Sequence, residues 1–548
     1  GTSWANAYNT NGGIQAAIAQ FAGAGTGGVL AIRAGSTYAG DIVWNANNVE
    51  VRVYSAAGAQ VLSGAGNRVN ITGSLIAAAT PVLQMTGTGN TIRLFNIADN
   101  ATKTGTMNLV TVAANANNNV FVDCAFSNAN TATTSTVENI FTFLGNNNGF
   151  QCETSMFTIS DPDRINGFRF ARGFNFNAAG QVITNCDIIG NDFNNTDWNA
   201  DNIRNTDFYP VRFYENVGLV DNFYFAGNHV KWGTLVFDLD NAGGANGPAY
   251  GDIEINANWF EDCNGIVIQA VANNGTVPWA AGGAAMVFPA VGKSFLITGN
   301  HFGSNETDGN STFAIQLNGL RPGDINQNVD VTKRLHYTYN NMQFPQQNGN
   351  DPMNYNGHFS ITNDDNANAY DGGNLTLSGG PSYGIDNRWT NNGPKVAVFV
   401  AGRDKTLLGG INAEFNWWGQ ITGPIGDFAP GYQAVVSPGP DWEPFISTYD
   451  VPIPDWQNSA ARTHDWNEDG FNDRHVILFD YFLDPVVLWD PDRIALTSFA
   501  VDGYVLDTNK PPRLNLDNDE DGTPDGPKHL TIFLVQGGLG GMDTGETQ

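Results

Sequence analysis

Short apolar segments, each broken by an asparagine-centred turn, recur through the middle of the chain. They are 183–193 (ITNCDIIGNDF), 220–230 (VDNFYFAGNHV), 253–260 (IEINANWF), 295–302 (FLITGNHF), 335–344 (LHYTYNNMQF) and 413–419 (AEFNWWG). The turn asparagine falls at Asn191, Asn228, Asn258, Asn300 and Asn341, at intervals of 37, 30, 42 and 41 residues. Self-similarity at a period of tens of residues predicts a solenoid, in which each unit buries its apolar face only against its neighbours. Strand, tight asparagine turn, strand is the unit of a parallel β-helix. Asparagine tolerates the left-handed backbone such a turn needs, and stacked asparagine side chains hydrogen-bond from coil to coil.

The ends of the pattern differ from its middle. Ile14, Ala17, Ile18 and Phe21 lie at helical spacing and predict a short amphipathic helix closing the first coil. Strands follow at 29–33 and 49–54. From 428 onward prolines accumulate (Pro430, Pro438, Pro440, Pro444, Pro452, Pro454), too densely for a sheet ladder. The expected organisation is an N-terminal cap over 1–28, a β-helix over 29–427, an extended connector over 428–461 and a small acidic module over 462–548. The fold class is mainly β, a right-handed parallel β-helix with these two appendages.

The opening SWANAY, helix and AGSTYAG resemble the start of secreted pectate-lyase-like right-handed β-helix proteins. The closing AEFNWWGQITGP, at 413–424, resembles a motif that often ends the helices of that group. The resemblance runs over roughly 1–424 and implies fold, since one solenoid carries lyases, hydrolases, adhesins and inert fibres.

Charge narrows the partners. Lys and Arg number 25 against 54 Asp and Glu, a formal charge of −29, which repels nucleic acid and anionic membranes. Calcium, extracellular glycan and further copies of the chain are the expected partners. No apolar run is long enough to span a membrane. The chain begins at Gly1 without Met, read here as a secreted protein whose signal peptide has been removed. Cys124, Cys152 and Cys186 are spaced by about a coil, so they suit either disulfides between coils or small apolar core fillers; Cys263 is the fourth cysteine.

The sharpest chemical signal lies in the last module. Two D-x-[DN]-x-D-G-x-x-D loops use Asp465, Asn467, Asp469 and Asp473, then Asp517, Asp519, Asp521 and Asp525. Alternate oxygen side chains with a glycine at the sixth position fold around one hard cation, so Ca²⁺ is the expected cofactor. With an apolar, helix-compatible stretch after each loop, the module resembles a dockerin or thrombospondin type 3 repeats. It departs from that pattern at position twelve, which is Val476 in one loop and Lys528 in the other.

On the solenoid, polyuronate lyase chemistry needs a cationic base, and the candidates cluster in DPDRINGFRFARG as Arg164, Arg169 and Arg172. A groove lined by Arg169, Arg172, Asp197 and Asp201 is the place on the solenoid to look for such chemistry. Asn195-Thr196-Asp197 resembles one polygalacturonase motif, but Asp364-Asp365 lies far from it along the chain and fits turn chemistry better. His229 and His301 occupy the same place in successive turns and read as a repeat feature. Trp198, Trp232, Trp259, Trp279, Trp417 and Trp418 suit sugar platforms, corner plugs or subunit contacts. With no complete catalytic constellation, the sequence favours an extracellular structural protein that self-assembles into a fibre, sheath or surface layer, its C-terminal module docking on the next subunit. A polysaccharide lyase, glycoside hydrolase or glycan-binding adhesin is the alternative.

Overall fold

The structure is a computed structural model. It describes residues 11–304 apart from 62, 74–79, 99–104, 128–134, 160–170, 196–207, 232, 240–247, 262–264 and 270–288. Between 313 and 436 it describes strands alone, and in the last module 461–464, 474–479, 504–516 (without 509, 511 and 515) and 529–535. Asn341, Arg164, Arg169, Asp197, Asp201, Asp364, Asp365 and the 413–419 segment lie outside the described residues, as do Cys263 and every tryptophan singled out above except Trp259.

The helix Asn11–Ala24 buries Ile14, Ala17 and Ile18 against the first coil, with Phe21 packed beside them. The strands that follow are shared among three long sheets. Successive strands enter sheet A (beginning Gly28–Arg33), sheet B (beginning Thr37–Ala39) and sheet C (beginning Ile42–Trp44) in turn. Each then pairs in parallel with its counterpart one coil on. The result is a right-handed parallel β-helix.

Alternation in each strand sends one set of side chains inward, where the large ones stack. Phe143, Phe176 and Phe213 lie on one another at centroid separations of 4.5 and 4.6 Å, and Phe157 stacks on Phe193 at 4.5 Å. Parallel pairing in register puts like on like, so each aromatic buries its faces on the coils before and after.

The asparagine ladder forms at the turn from sheet A to sheet B. Asn191, Asn228, Asn258 and Asn300 are fully buried. The backbone N–H of Asn191 donates to Asn228 Oδ1 at 2.8 Å, that of Asn228 to Asn258 Oδ1 at 2.8 Å, and that of Asn258 to Asn300 Oδ1 at 2.9 Å. Each amide nitrogen donates in turn to a carbonyl of the coil before, as Asn228 Nδ2 does to Ile188 O at 2.8 Å. Ser155 and Cys124 continue the column where asparagine is absent: Ser155 N–H donates to Asn191 Oδ1 at 2.8 Å, and Cys124 N–H to Ser155 Oγ at 3.0 Å. A second corner carries a shorter ladder, Asn90 on Asn119 at 3.0 Å.

Cys124, Cys152 and Cys186 are buried free thiols. Of the two readings the spacing left open, core filling is the one realised, and the coil-to-coil disulfides do not form among these three. Burial pushes the Cys124 thiol up to about 12 and holds the other two well above their ordinary value, so all three stay neutral.

The C-terminal module departs from expectation. The segments after the two acidic loops are strands, Arg474–Leu478 and His529–Val535, paired antiparallel to each other. They belong to a five-stranded antiparallel sheet with Ala461–His464, Val505–Leu506 and Arg513–Leu514. The loop-then-helix of a dockerin is not formed. Both segments are rich in β-branched and aromatic residues (Val476, Ile477; Thr531, Ile532, Phe533), which fit a pleated surface. Val476, Leu530, Ile532 and Phe533 are buried.

Candidate functional site on sheet C

The strands Ser135–Phe143, Ala171–Phe176 and Phe208–Phe213 lie side by side in sheet C. Their register aligns Asn139 with Arg172 and Tyr209, and Thr142 with Asn175 and Arg212. The pairing skips Ile140, Gly173 and Pro210, so two residues three apart face outward on each strand. Pro210 lacks the N–H a ladder needs, and a side chain on Gly173 would collide with the Pro210 carbonyl. That local irregularity places Arg172 and Asn175 on the same outer face.

On this face the polar groups converge. Arg172 Nη1 donates to Asn139 Oδ1 at 3.2 Å, and Asn139 Nδ2 to Asn108 Oδ1 at 2.7 Å. The Arg212 guanidinium lies 4.2 Å from the Tyr214 ring centre and 5.1 Å from that of Tyr209, and Arg172 lies 5.4 Å from Tyr214. Stacking on aromatic faces holds both guanidiniums in fixed planes. Arg212 Nη2 pairs with the buried Asp238 at 3.2 Å, whose backbone carbonyl accepts from Tyr250 Oη at 2.8 Å. Arg212 Nε and Asn175 Oδ1 are buried without a hydrogen-bond partner.

Burial raises the Tyr214 phenol despite the two cations beside it, so it remains protonated at neutral pH and can donate. For Arg212, burial acts downward but Asp238, Tyr214 and Tyr209 outweigh it, and the cation is strengthened.

Of the catalytic candidates read from the sequence, Arg172 is the one that falls among the described residues, and it lies in this polar constellation. Tyr209, Arg212, Tyr214 and Asp238 were missed. The signal was present in 208–214 (FYPVRFY), where apolar and polar positions alternate around Pro210.

A second cluster lies on sheet B, where Asp192, His229 and Trp259 are in register. His229 Nδ1 meets Asp192 Oδ1 at 3.1 Å and its Nε2 meets Glu261 Oε2 at 2.9 Å, while Lys231 Nζ reaches Glu261 at 3.0 Å. Trp259 stacks on the imidazole at 4.3 Å. His229 is thus a bridging residue, more than the repeat feature its sequence context suggested. The calcium-loop residues Asp465, Asn467, Asp469, Asp473, Asp517, Asp519, Asp521 and Asp525 lie outside the described residues. Among the described residues no group of His, Cys, Asp and Glu could hold a metal ion.

No protein-family model matches the chain. No curated relative matches it either. Among solved structures, similarity is found to an alginate lyase from Paenibacillus sp. str. FPU-7. It is 11% identical with a TM-score of 0.27, covering 61% of this chain and 94% of that one. Two double-mutant structures of the tailspike protein of E. coli bacteriophage HK620, one in complex with a pentasaccharide, are each 11% identical. Their TM-scores are 0.33 and 0.31, covering 96% of this chain and 87% of theirs. At this level the likeness carries no argument about activity, and the fold stands on the strand register.

Proposed function

We propose that the outer face of sheet C is a glycan-binding surface and that the protein recognises an extracellular polysaccharide. The observation that carries this reading is the stack of Arg172, Tyr214, Arg212 and Tyr209 on one outer face of a rigid solenoid. Guanidinium forks donate to sugar oxygens in a fixed plane, and aromatic rings present apolar edges and faces to sugar C–H groups. Among the described residues of this stack, Arg172 and Arg212 stand against the single carboxylate of Asp238, a local excess of cation on a chain of −29 that favours acidic sugars.

Recognition is better supported than turnover. Arg172, Arg212 and the protonated Tyr214 are all donors, and cleavage would draw its base from elsewhere, with Arg169, Asp197 and Asp201 the sequence's candidates. The self-assembling fibre expected from the sequence is the weaker reading, because the C-terminal module it relied on for coupling lies against its own rod, with Arg474 paired to Glu153 and Ile477, Leu530 and Ile532 packed on Ala257. Secretion and calcium binding by the acidic loops remain part of the proposal, resting on sequence.

The test is a panel of immobilised neutral and uronate polysaccharides. The full chain should bind at least one, and Arg172→Ala or Arg212→Ala should weaken binding about tenfold or more, the order of one charge-assisted hydrogen bond. Ultraviolet absorbance of unsaturated products and reducing-end release, read in the same wells, report turnover. A chain that binds no glycan, or whose binding ignores both substitutions, would remove sheet C as the site.

A further inference from the structure

The corner where sheet A turns into sheet B is covered by the C-terminal module, and the contact is built from both sides. Two apolar clusters cross it: Ala257 with Ile477, Leu514, Leu530 and Ile532, and Ile189 with Leu516 and Phe533. A polar seam runs alongside. Arg474 pairs with Glu153, both nearly without exposure. Asp507 accepts from Ser63, Lys510 Nζ lies 3.7 Å from Asp123, which also holds Arg68 at 3.1 Å, and Arg513 Nε donates to Gly190 O at 3.1 Å. The backbone of the corner suits its cover: Gly190 (φ +63) and Gly227 (φ +62) take the left-handed turn conformation, and any side chain there would meet Leu516 or the Leu514 carbonyl. Four cations and three carboxylates leave water together here, and buried charge on this scale is stable only when both partners are present.

We infer that this corner is a docking surface whose occupant is the C-terminal module of the same chain, and that the module acts as a lateral clamp on the rod. The coils of Ser63 and Ala257 are six strand spacings apart along sheet A, about 29 Å at ~4.8 Å per spacing. One small sheet therefore ties together coils that otherwise touch only their neighbours, the weakness of any solenoid. Chain reach supports docking within one chain. The last sheet C strand, Val435–Val436, stands four spacings past the coil of Ala257 and ten past that of Ser63, about 19 and 48 Å. Residues 437–460, about 80 Å long if extended, cover that return.

The test uses the full chain. In a Cys263→Ser background, Ser63→Cys with Asp507→Cys should oxidise to a link within one monomer; links between monomers would assign the module to a neighbouring copy and overturn the inference. In parallel, hydrogen exchange is followed through 219–227. Arg474→Glu, and Gly227→Asn, which keeps a residue tolerant of positive φ, should each raise exchange there by about 100-fold or more. Glu153→Arg combined with Arg474→Glu should return part of that protection, which separates a lost latch from a misfolded rod. Unchanged protection in both variants would show that the module does not clamp the corner.

Discussion

His229 shows how one side chain can be set by its neighbours in register. Burial alone would lower its pKa, but the hydrogen bonds to Asp192 and Glu261 outweigh burial and raise it above the ordinary 6.5. Glu261 is also buried, which acts upward, yet His229 and Lys231 bring it below the ordinary 4.5. The imidazolium contributes stability that is complete below pH 6.5 and is lost as pH rises through its raised value. The carboxylate contributes above 4.5 and is lost as pH falls through its lowered value. The network is therefore fully engaged between these two pH values. His229→Gln, uncharged throughout, should cost about 2 kcal/mol in that window and progressively less as pH is raised beyond it. Urea unfolding of both proteins from pH 5 to 9 measures the difference, and a gap that stays constant with pH would mean that His229 is neutral in the folded chain.

At the scale of the element, the corner ladder is the feature that keeps coils of unequal length in step. Loops between sheets vary, but each turn asparagine receives the N–H of the residue one coil before and sends its amide to a carbonyl there. Removing Asn228 leaves the Asn191 N–H buried without its partner and strips one hydrogen bond each from Asn191 Nδ2 and the Ile188 carbonyl. Asn228→Ala should accordingly cost about 2–5 kcal/mol, more than the loss of an exposed polar contact. Asn148, Asn185 and Asn222 form a comparable row on the outside, with Asn185 Nδ2 on Asn148 at 2.8 Å and Asn222 Nδ2 on Asn185 at 3.0 Å. These side chains are exposed and Asn185 has a left-handed backbone (φ 53), so Asn185→Gly, which keeps that conformation, serves as the control and should change stability by under about 1 kcal/mol. Equal losses from both substitutions would remove burial as the source of the ladder's strength.

For the whole molecule, a docked module changes what calcium should do. An ion that binds the acidic loops of the folded chain stabilises it by mass action, about 2.7 kcal/mol when present at 100 times its dissociation constant. If the module were a free appendage, chelation would lower only its own melting transition. Clamped across six coil spacings, it should pass the loss to the rod, so chelator lowers the main calorimetric transition as well. A main transition insensitive to chelation, beside a minor one that shifts, would mean that rod and module unfold independently.

The parallel β-helix was legible because its cause is local and repeated. Asn191, Asn228, Asn258 and Asn300 mark one corner at intervals of 30 to 42 residues, and the apolar residues around them can bury only by stacking on the next coil. The capping helix followed from four apolar positions at helical spacing. What lay beyond reach depended on residues far apart in the chain. Glu153 and Arg474, or Asp192, His229 and Glu261, meet only once coil register and module docking bring them together. Strand or helix after the acidic runs was likewise decided only in the tertiary structure, since Val476 and Ile532 form strands once an antiparallel partner and an apolar corner are supplied. Periodicity thus determined the rod, whose contacts lie one coil apart; tertiary structure decided the module and the polar sites, because their partners are separated by several coils or by most of the chain.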